Sequence, residues 1–162
     1  MSTLLIDTVS LYHCVKKRHS GGRIDYRKFV DEAEDIWGPF KTQIAYVSAI
    51  NDRSQDFMWA LQQQGLFVKQ KRPTVVYVNG KEFQKTVWDV ELAIDAMEHA
   101  NDKENMVICS SRLAILPLLQ RLNKRTACTA IYASAIPRIF KEQAFIKEVG
   151  ANILNDTFNS AE

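Results

Sequence analysis

Lys85-Thr-Val-Trp-Asp-Val-Glu-Leu-Ala-Ile-Asp-Ala-Met-Glu-His-Ala100 carries the clearest helical pattern in the chain. Val90, Ala93, Ile94, Met97 and Ala100 recur at three-and-four spacing, which predicts a helix with that stripe buried. Asp89 stands at the start of the helix, near the edge of the stripe. Glu91, Asp95 and Glu98 fall further round, on a face read as solvated. An acid at such a place has two readings. It caps the helix and complements its dipole, worth about 1 kcal/mol, or it is a catalytic or metal-binding carboxylate where the core ends.

Immediately upstream, Val75-Val-Tyr-Val-Asn-Gly-Lys-Glu-Phe83 sets Asn79-Gly80 between two extended runs, a strong hairpin signal. Before it, Lys41–Ile50 reads as a strand, followed by a helix capped near Asn51 or Asp52 and ended by Gly65. Leu66–Lys69 reads as a further strand that brings Lys69, Lys71 and Arg72 together. Downstream, Asn105–Cys109 and Ala127–Ala133 read as buried strands, with Ser110-Ser111 placed to cap a helix running through Leu122. The remainder, with Ile136-Pro137, Phe140 and Phe145, suggests short helices, then an edge strand over Ala151–Leu154. Strands alternating with helices imply an α/β fold with a mainly parallel sheet.

At the other end, Thr3–Ile6 is a short apolar run ending in Asp7, as expected of a central strand. Ligands of open α/β sheets collect beyond the carboxyl ends of the strands, where Asp7 would stand. Its plainer reading is a turn residue or helix cap. Tyr12–Arg23 holds Lys16, Lys17, Arg18, His19 and Arg23 around Gly21-Gly22: a short helix entering a basic loop, either solvated or able to hold phosphates. Asp25–Trp37 reads as an amphipathic helix with Phe29, Ala33 and Ile36 or Trp37 inward, stopped by Gly38-Pro39.

The 162 residues suit one domain, taken as residues 1–155 with a frayed tail over 156–162. A hydrophobic share of 46% and a charged share of 25% exclude a disordered chain. The net charge of +2 is too small to announce a nucleic-acid binder, so local clusters must carry that claim. Cys14, Cys109 and Cys128 are odd in number and lack CxxC spacing, which suggests neither a disulfide framework nor a zinc site. With no signal-peptide pattern and no apolar run of membrane-spanning length, the chain reads as a cytoplasmic protein without a membrane partner. Trp37, Trp59 and Trp88 read as packing anchors, although Trp88 next to Asp89 could line a cleft mouth.

Asp7 and Asp89, both at element ends, could meet above the sheet. A carboxylate pair there would hold Mg²⁺ or Mn²⁺ through hard oxygen ligands and activate a water for phosphodiester attack. Lys16, Lys17, Arg18, Lys69, Lys71, Arg72 and Lys85 could position a phosphate backbone. The order of these pieces resembles the NYN domain family, the LabA-like branch of the PIN-like nucleases, along nearly the whole chain. The family's Ile-Asp-x-x-Asn-Leu is similar to Ile6-Asp7-Thr8-Val9-Ser10-Leu11, and its Arg-Ile-Asp-Tyr to Arg23-Ile24-Asp25-Tyr26. Its Lys-x-x-x-Asp-Val-x-x-Ala-x-Asp helix resembles Lys85 through Asp95. The resemblance implies a PIN-like (Rossmann-like) fold with the hairpin as an insertion, and a metal-dependent ribonuclease ancestry. It also implies metal-ligand roles for Asp7 and Asp89 and a supporting catalytic role for Asp95.

The third family motif departs. Where the family has Ser-Gly-Asp-x-Asp-Phe-x-Pro-Leu, this chain has Ser110-Ser111-Arg112-Leu113-Ala114-Ile115-Leu116-Pro117-Leu118, so Arg112 and Ala114 replace both acids. Exchanging an acid for a fixed cation changes the local charge by about two units and opposes a divalent ion. Arg112 could pair with Asp7 and Asp89 in place of the metal. With Ser110 and Ser111 it could form an anion site that grips a phosphate without cutting. It could also point away while the acids hold a weak metal. The expectation is a nuclease-family domain with an incomplete metal site that binds RNA, other single-stranded nucleic acid or a protein partner, with weak or no hydrolysis. The alternatives are an active Mg/Mn-dependent ribonuclease using Asp7 and Asp89, and an interaction module that self-associates. A haloacid-dehalogenase-type phosphatase would want an Asp where Val9 stands.

Overall fold

The computed structural model describes residues 1–19 and 23–155. The expected frayed tail and the glycine pair of the basic loop lie outside the described residues. The first strand, β1 (Ser2–Asp7), is buried along its whole length, with Leu4, Leu5 and Ile6 at 0% exposure. Such a run can only be central, and β1 is the third of six parallel strands in the order β4-β3-β1-β7-β8-β9. Here β3 is Phe40–Ser48, β4 Phe67–Lys71, β7 Asn105–Cys109, β8 Cys128–Ala133 and β9 Phe145–Glu148.

Helices make the crossovers that parallel strands require. They are α1 (Thr8–Arg18), α2 (Tyr26–Trp37), α3 (Asp52–Gln63), α4 (Asp89–His99) and α5 (Leu116–Leu122). From β1 the chain moves outward to β3 and β4, then returns to the other side of β1 as β7. The strand order therefore reverses between β1 and β7, and their carboxyl ends open the crevice in which such sheets bind ligands. Asp7 ends β1 and Ser110 follows β7 at that crevice.

The expected hairpin forms from β5 (Thr74–Val78) and β6 (Lys81–Lys85) as a separate two-stranded sheet. Asn79 and Gly80 turn it with φ of 52° and 75°, conformations that this residue pair adopts readily. A further two-stranded pairing joins β2 (Arg23–Ile24) to β10 (Leu154–Asn155).

Several sequence-based expectations are corrected. The helix opens at Asp89, as expected, while Lys85, at the head of the quoted stretch, pairs with Thr74 in the hairpin ladder. Its buried face is different: Leu92, Asp95 and Ala96 point inward, while Val90 is 69% and Ile94 53% exposed. The roll is set by Trp88, which is buried just ahead of the helix with its ring 5.3 Å from that of Tyr46. Burying Trp88 carries Leu92 and Ala96 inward with it at four-residue spacing. Trp88 is thus not at a cleft mouth, and Trp59, expected as an anchor, is exposed. After Cys109, Ser110 and Ser111 cap no α-helix; a 3₁₀ turn over Leu113–Ile115 precedes α5. Phe145–Glu148, expected to be helical, pairs with β8, and Ala151–Ile153 is a 3₁₀ turn rather than a strand.

Candidate functional site

The crevice is built from three chain segments that leave the sheet together. Asp7 ends β1 and at once caps α1, its Oδ1 accepting from Ser10 N at 3.0 Å. The cap fixes the start of α1 beside β7, so the Ser10 Oγ accepts from Ser111 N at 3.2 Å and from the Ser110 hydroxyl at 3.4 Å. Ser110 Oγ in turn accepts from Arg112 N at 3.2 Å. This chain of short polar contacts orients the backbone from which Arg112 projects.

The Arg112 Nε donates to both oxygens of the Asp89 carboxylate, at 2.8 and 2.9 Å. Its terminal amino groups make no hydrogen bond to a protein acceptor among the described residues, and the side chain lines the cleft. Among the described residues Asp7 has no such pairing. Only 2% exposed, its carboxyl is pushed up to about 6, chiefly because burial penalises the charged form. The helix-start hydrogen bond from Ser10 opposes that shift, the charge of Asp89 adds to it, and Arg112 reduces it.

A divalent cation does not fit this donor set. Hard cations need several free carboxylate or carbonyl oxygens. Both Asp89 oxygens are occupied by a guanidinium, and the buried Asp7 carboxyl already gives one oxygen to the Ser10 N–H at the start of α1. Among the described residues no three His, Cys, Asp or Glu side chains cluster as metal ligands.

The cleft has a volume of about 1050 Å³. Among the described residues Asp7 is its only acidic lining residue, against Lys17, Arg23, Lys85 and Arg112. Tyr12 also lines it, 57% exposed, with the Lys16 ammonium 5.6 Å from its ring centroid and His13 at its edge. Lys16, Lys17 and Arg18 are exposed in the last turn of α1.

Other expected site residues are not brought to the crevice. Asp95, expected on a solvated face, is 5% exposed and accepts from the Tyr46 hydroxyl at 2.7 Å. Lys69 Nζ donates to both of its oxygens at 2.9 and 2.8 Å, so these two residues tie α4 to β3 and β4. Lys71 pairs with Glu91 at 2.8 Å, donates to the Val87 carbonyl, and lies 4.3 Å from the Trp88 ring centroid. Arg72 is exposed beside the hairpin. Sequence reasoning missed Tyr12 and Thr86 as cleft residues, and Tyr46 as the partner of Asp95. Tyr12 was reachable, since it lies one turn beyond Thr8 and hence on the face above the end of β1.

A six-stranded parallel sheet with acids at the first strand end and at the helix after the hairpin defines an α/β domain with a crevice at its strand ends. The NYN domain family model matches residues 2–152, and the chain belongs to that family. The crystal structure of a protein of unknown function from Vibrio parahaemolyticus RIMD 2210633 is similar, with 22% identity, a TM-score of 0.79 and 94% of each chain covered. That likeness is one of fold. No curated protein matches the chain. No helix among the described residues is long and apolar enough to cross a membrane.

Proposed function

We propose that this NYN domain binds single-stranded RNA in the crevice between β1 and β7, and that it hydrolyses the strand weakly or not at all. The observation that carries the reading is the Arg112 Nε seated on both Asp89 oxygens. The guanidinium neutralises the acid that would otherwise help to hold Mg²⁺ or Mn²⁺, and its terminal N–H groups remain to donate to a phosphate. The cation-rich lining supports a polyanionic ligand. The exposed Tyr12 ring offers a face on which an unpaired base can stack. Ser110 and Ser111 serve to orient Arg112 in this reading, while Asp95, Lys69 and Lys71 serve the fold.

The test is a binding and cleavage assay on labelled single-stranded RNA, run with EDTA and with Mn²⁺. Binding that persists in EDTA, weakens with salt and is accompanied by little or no cleavage is the expected result. Mn²⁺-dependent cleavage abolished by Asp89→Asn would show an active ribonuclease instead. An absence of any binding at low salt would leave a protein partner as the ligand.

A further inference from the structure

A second concavity of about 330 Å³ lies at the root of the hairpin, lined by Lys71, Arg72, Thr74, Val76, Lys85, Thr86 and Val87. Lys85 and Thr86 line this cleft and the larger one, so the two adjoin. Thr86 is held at the junction by a 2.6 Å hydrogen bond with the Ser48 hydroxyl at the end of β3. Among the described residues no acidic side chain lines the smaller cleft.

The cations of this region fall into two sets. Lys69, Lys71 and Arg112 are each paired with a carboxylate on α4. Lys17, Arg23, Arg72 and Lys85 form no ion pair among the described residues, and all four line one or both clefts. Other unpaired cations, Lys124 among them, lie outside both clefts, but within the clefts these four face a single acidic lining residue among the described residues, Asp7. Unpaired cations along adjoining clefts suit a strand of linked phosphates, because each contact releases condensed counterions.

We infer that the hairpin root is a second phosphate subsite, formed by Arg72 and Lys85, and that the ligand is a single-stranded nucleic acid long enough to pass from Tyr12 and Lys17 across Thr86 to Arg72. The inference rests on the nucleic-acid reading above and adds to it a length requirement and a direction across the surface. Arg72 supplies the fork at the far end and Lys85 the charge at the junction. The hairpin is then the wall of an extended groove rather than a bystander to the crevice.

Fluorescence anisotropy with a ladder of labelled oligouridylates, in EDTA and over a salt series, tests this. Wild-type affinity should climb with length to a plateau. Arg72→Ala should lower that plateau severalfold, leave the shortest oligomers unaffected, and reduce the slope of log affinity against log salt by about 0.7. Lys85→Ala should act in the same direction. Lys124→Ala, an exposed cation outside both clefts, controls for net charge and should bind as wild type. An oligodeoxythymidylate ladder with the same length dependence would confirm that the far subsite reads phosphate rather than the ribose 2′-hydroxyl. If wild type binds but Arg72→Ala and Lys85→Ala bind long oligomers equally well, the second subsite is wrong and the function stands. A duplex bound as tightly as a single strand would overturn the single-stranded ligand. No binding by wild type at any length would overturn both.

Discussion

At the end of β1, burial raises the Asp7 carboxyl to about 6 from an ordinary 3.8. A carboxyl whose folded value is raised binds its proton more tightly in the native chain than in the unfolded one. Its contribution to stability is fully present below about pH 4 and is lost as pH rises through about 6. At neutral pH the charged form costs the fold up to roughly 3 kcal/mol, a net figure that already contains the opposing hydrogen bond from Ser10. Asp7→Asn keeps the cap acceptor and removes the charge, so it should stabilise the protein by about 1–2 kcal/mol at pH 7.5. The advantage should vanish toward pH 4, which urea unfolding at the two pH values will measure. An equal effect at both would show that desolvation is not the cause. Arg112 sets up the complementary experiment. Arg112→Asp places three acids together, so the variant should melt lower than wild type in EDTA and regain stability in Mn²⁺. Wild type should melt alike in both, and Mn²⁺ stabilisation of wild type would count against the guanidinium as the metal's substitute.

The helix α4 shows where a one-dimensional pattern stops being sufficient. Its existence, and Asp89 near its start, were legible from the spacing of apolar residues after the hairpin. Its rotation was not, because Val90, Ala93, Ile94 and Met97 make as good a stripe on paper as Leu92 and Ala96. What decides between them lies outside the helix: Trp88 docking on Tyr46, and the Tyr46 hydroxyl with Lys69 satisfying a buried Asp95. The partners are 49 and 26 residues away in sequence, beyond any local periodicity. Asp95→Ala should therefore act as a fold lesion, leaving Tyr46 and Lys69 unpaired at a cost of about 2–3 kcal/mol. Asp95→Asn should cost less, since it still accepts from Tyr46. If either variant lost nucleic-acid affinity at unchanged thermal stability, Asp95 would belong to the site after all. The strand β9 escaped for a related reason: Phe145-Ile-Lys-Glu148 alternates too weakly to announce itself, and only the exposed edge of β8 selects it.

At the scale of the whole molecule, the six-stranded sheet and the hairpin are different kinds of structure. The sheet is covered by helices and carries the core, whereas the hairpin is a two-stranded ribbon whose Val75, Tyr77, Val78 and Phe83 are exposed. The sequence made both legible, the sheet through buried apolar runs and the hairpin through Asn79-Gly80. It did not reveal that the hairpin root completes a groove, since Arg72 and Lys85 are joined only by the ladder pairing of Thr74 with Lys85. Two-stranded ribbons have little independent stability, so hairpin amides should exchange with solvent by local opening, well before those of β1 and β7. If the groove is continuous, a bound strand stabilises the root alone. Hydrogen exchange followed by mass spectrometry should then show ligand-induced protection over residues 72–75 and 84–87, with residues 78–81 at the tip unchanged. Protection confined to α1 and residues 110–112 would limit the ligand to the crevice. Protection extending to the tip would instead mean that the exposed apolar side chains of the ribbon are covered as well, a contact that phosphate recognition alone does not provide.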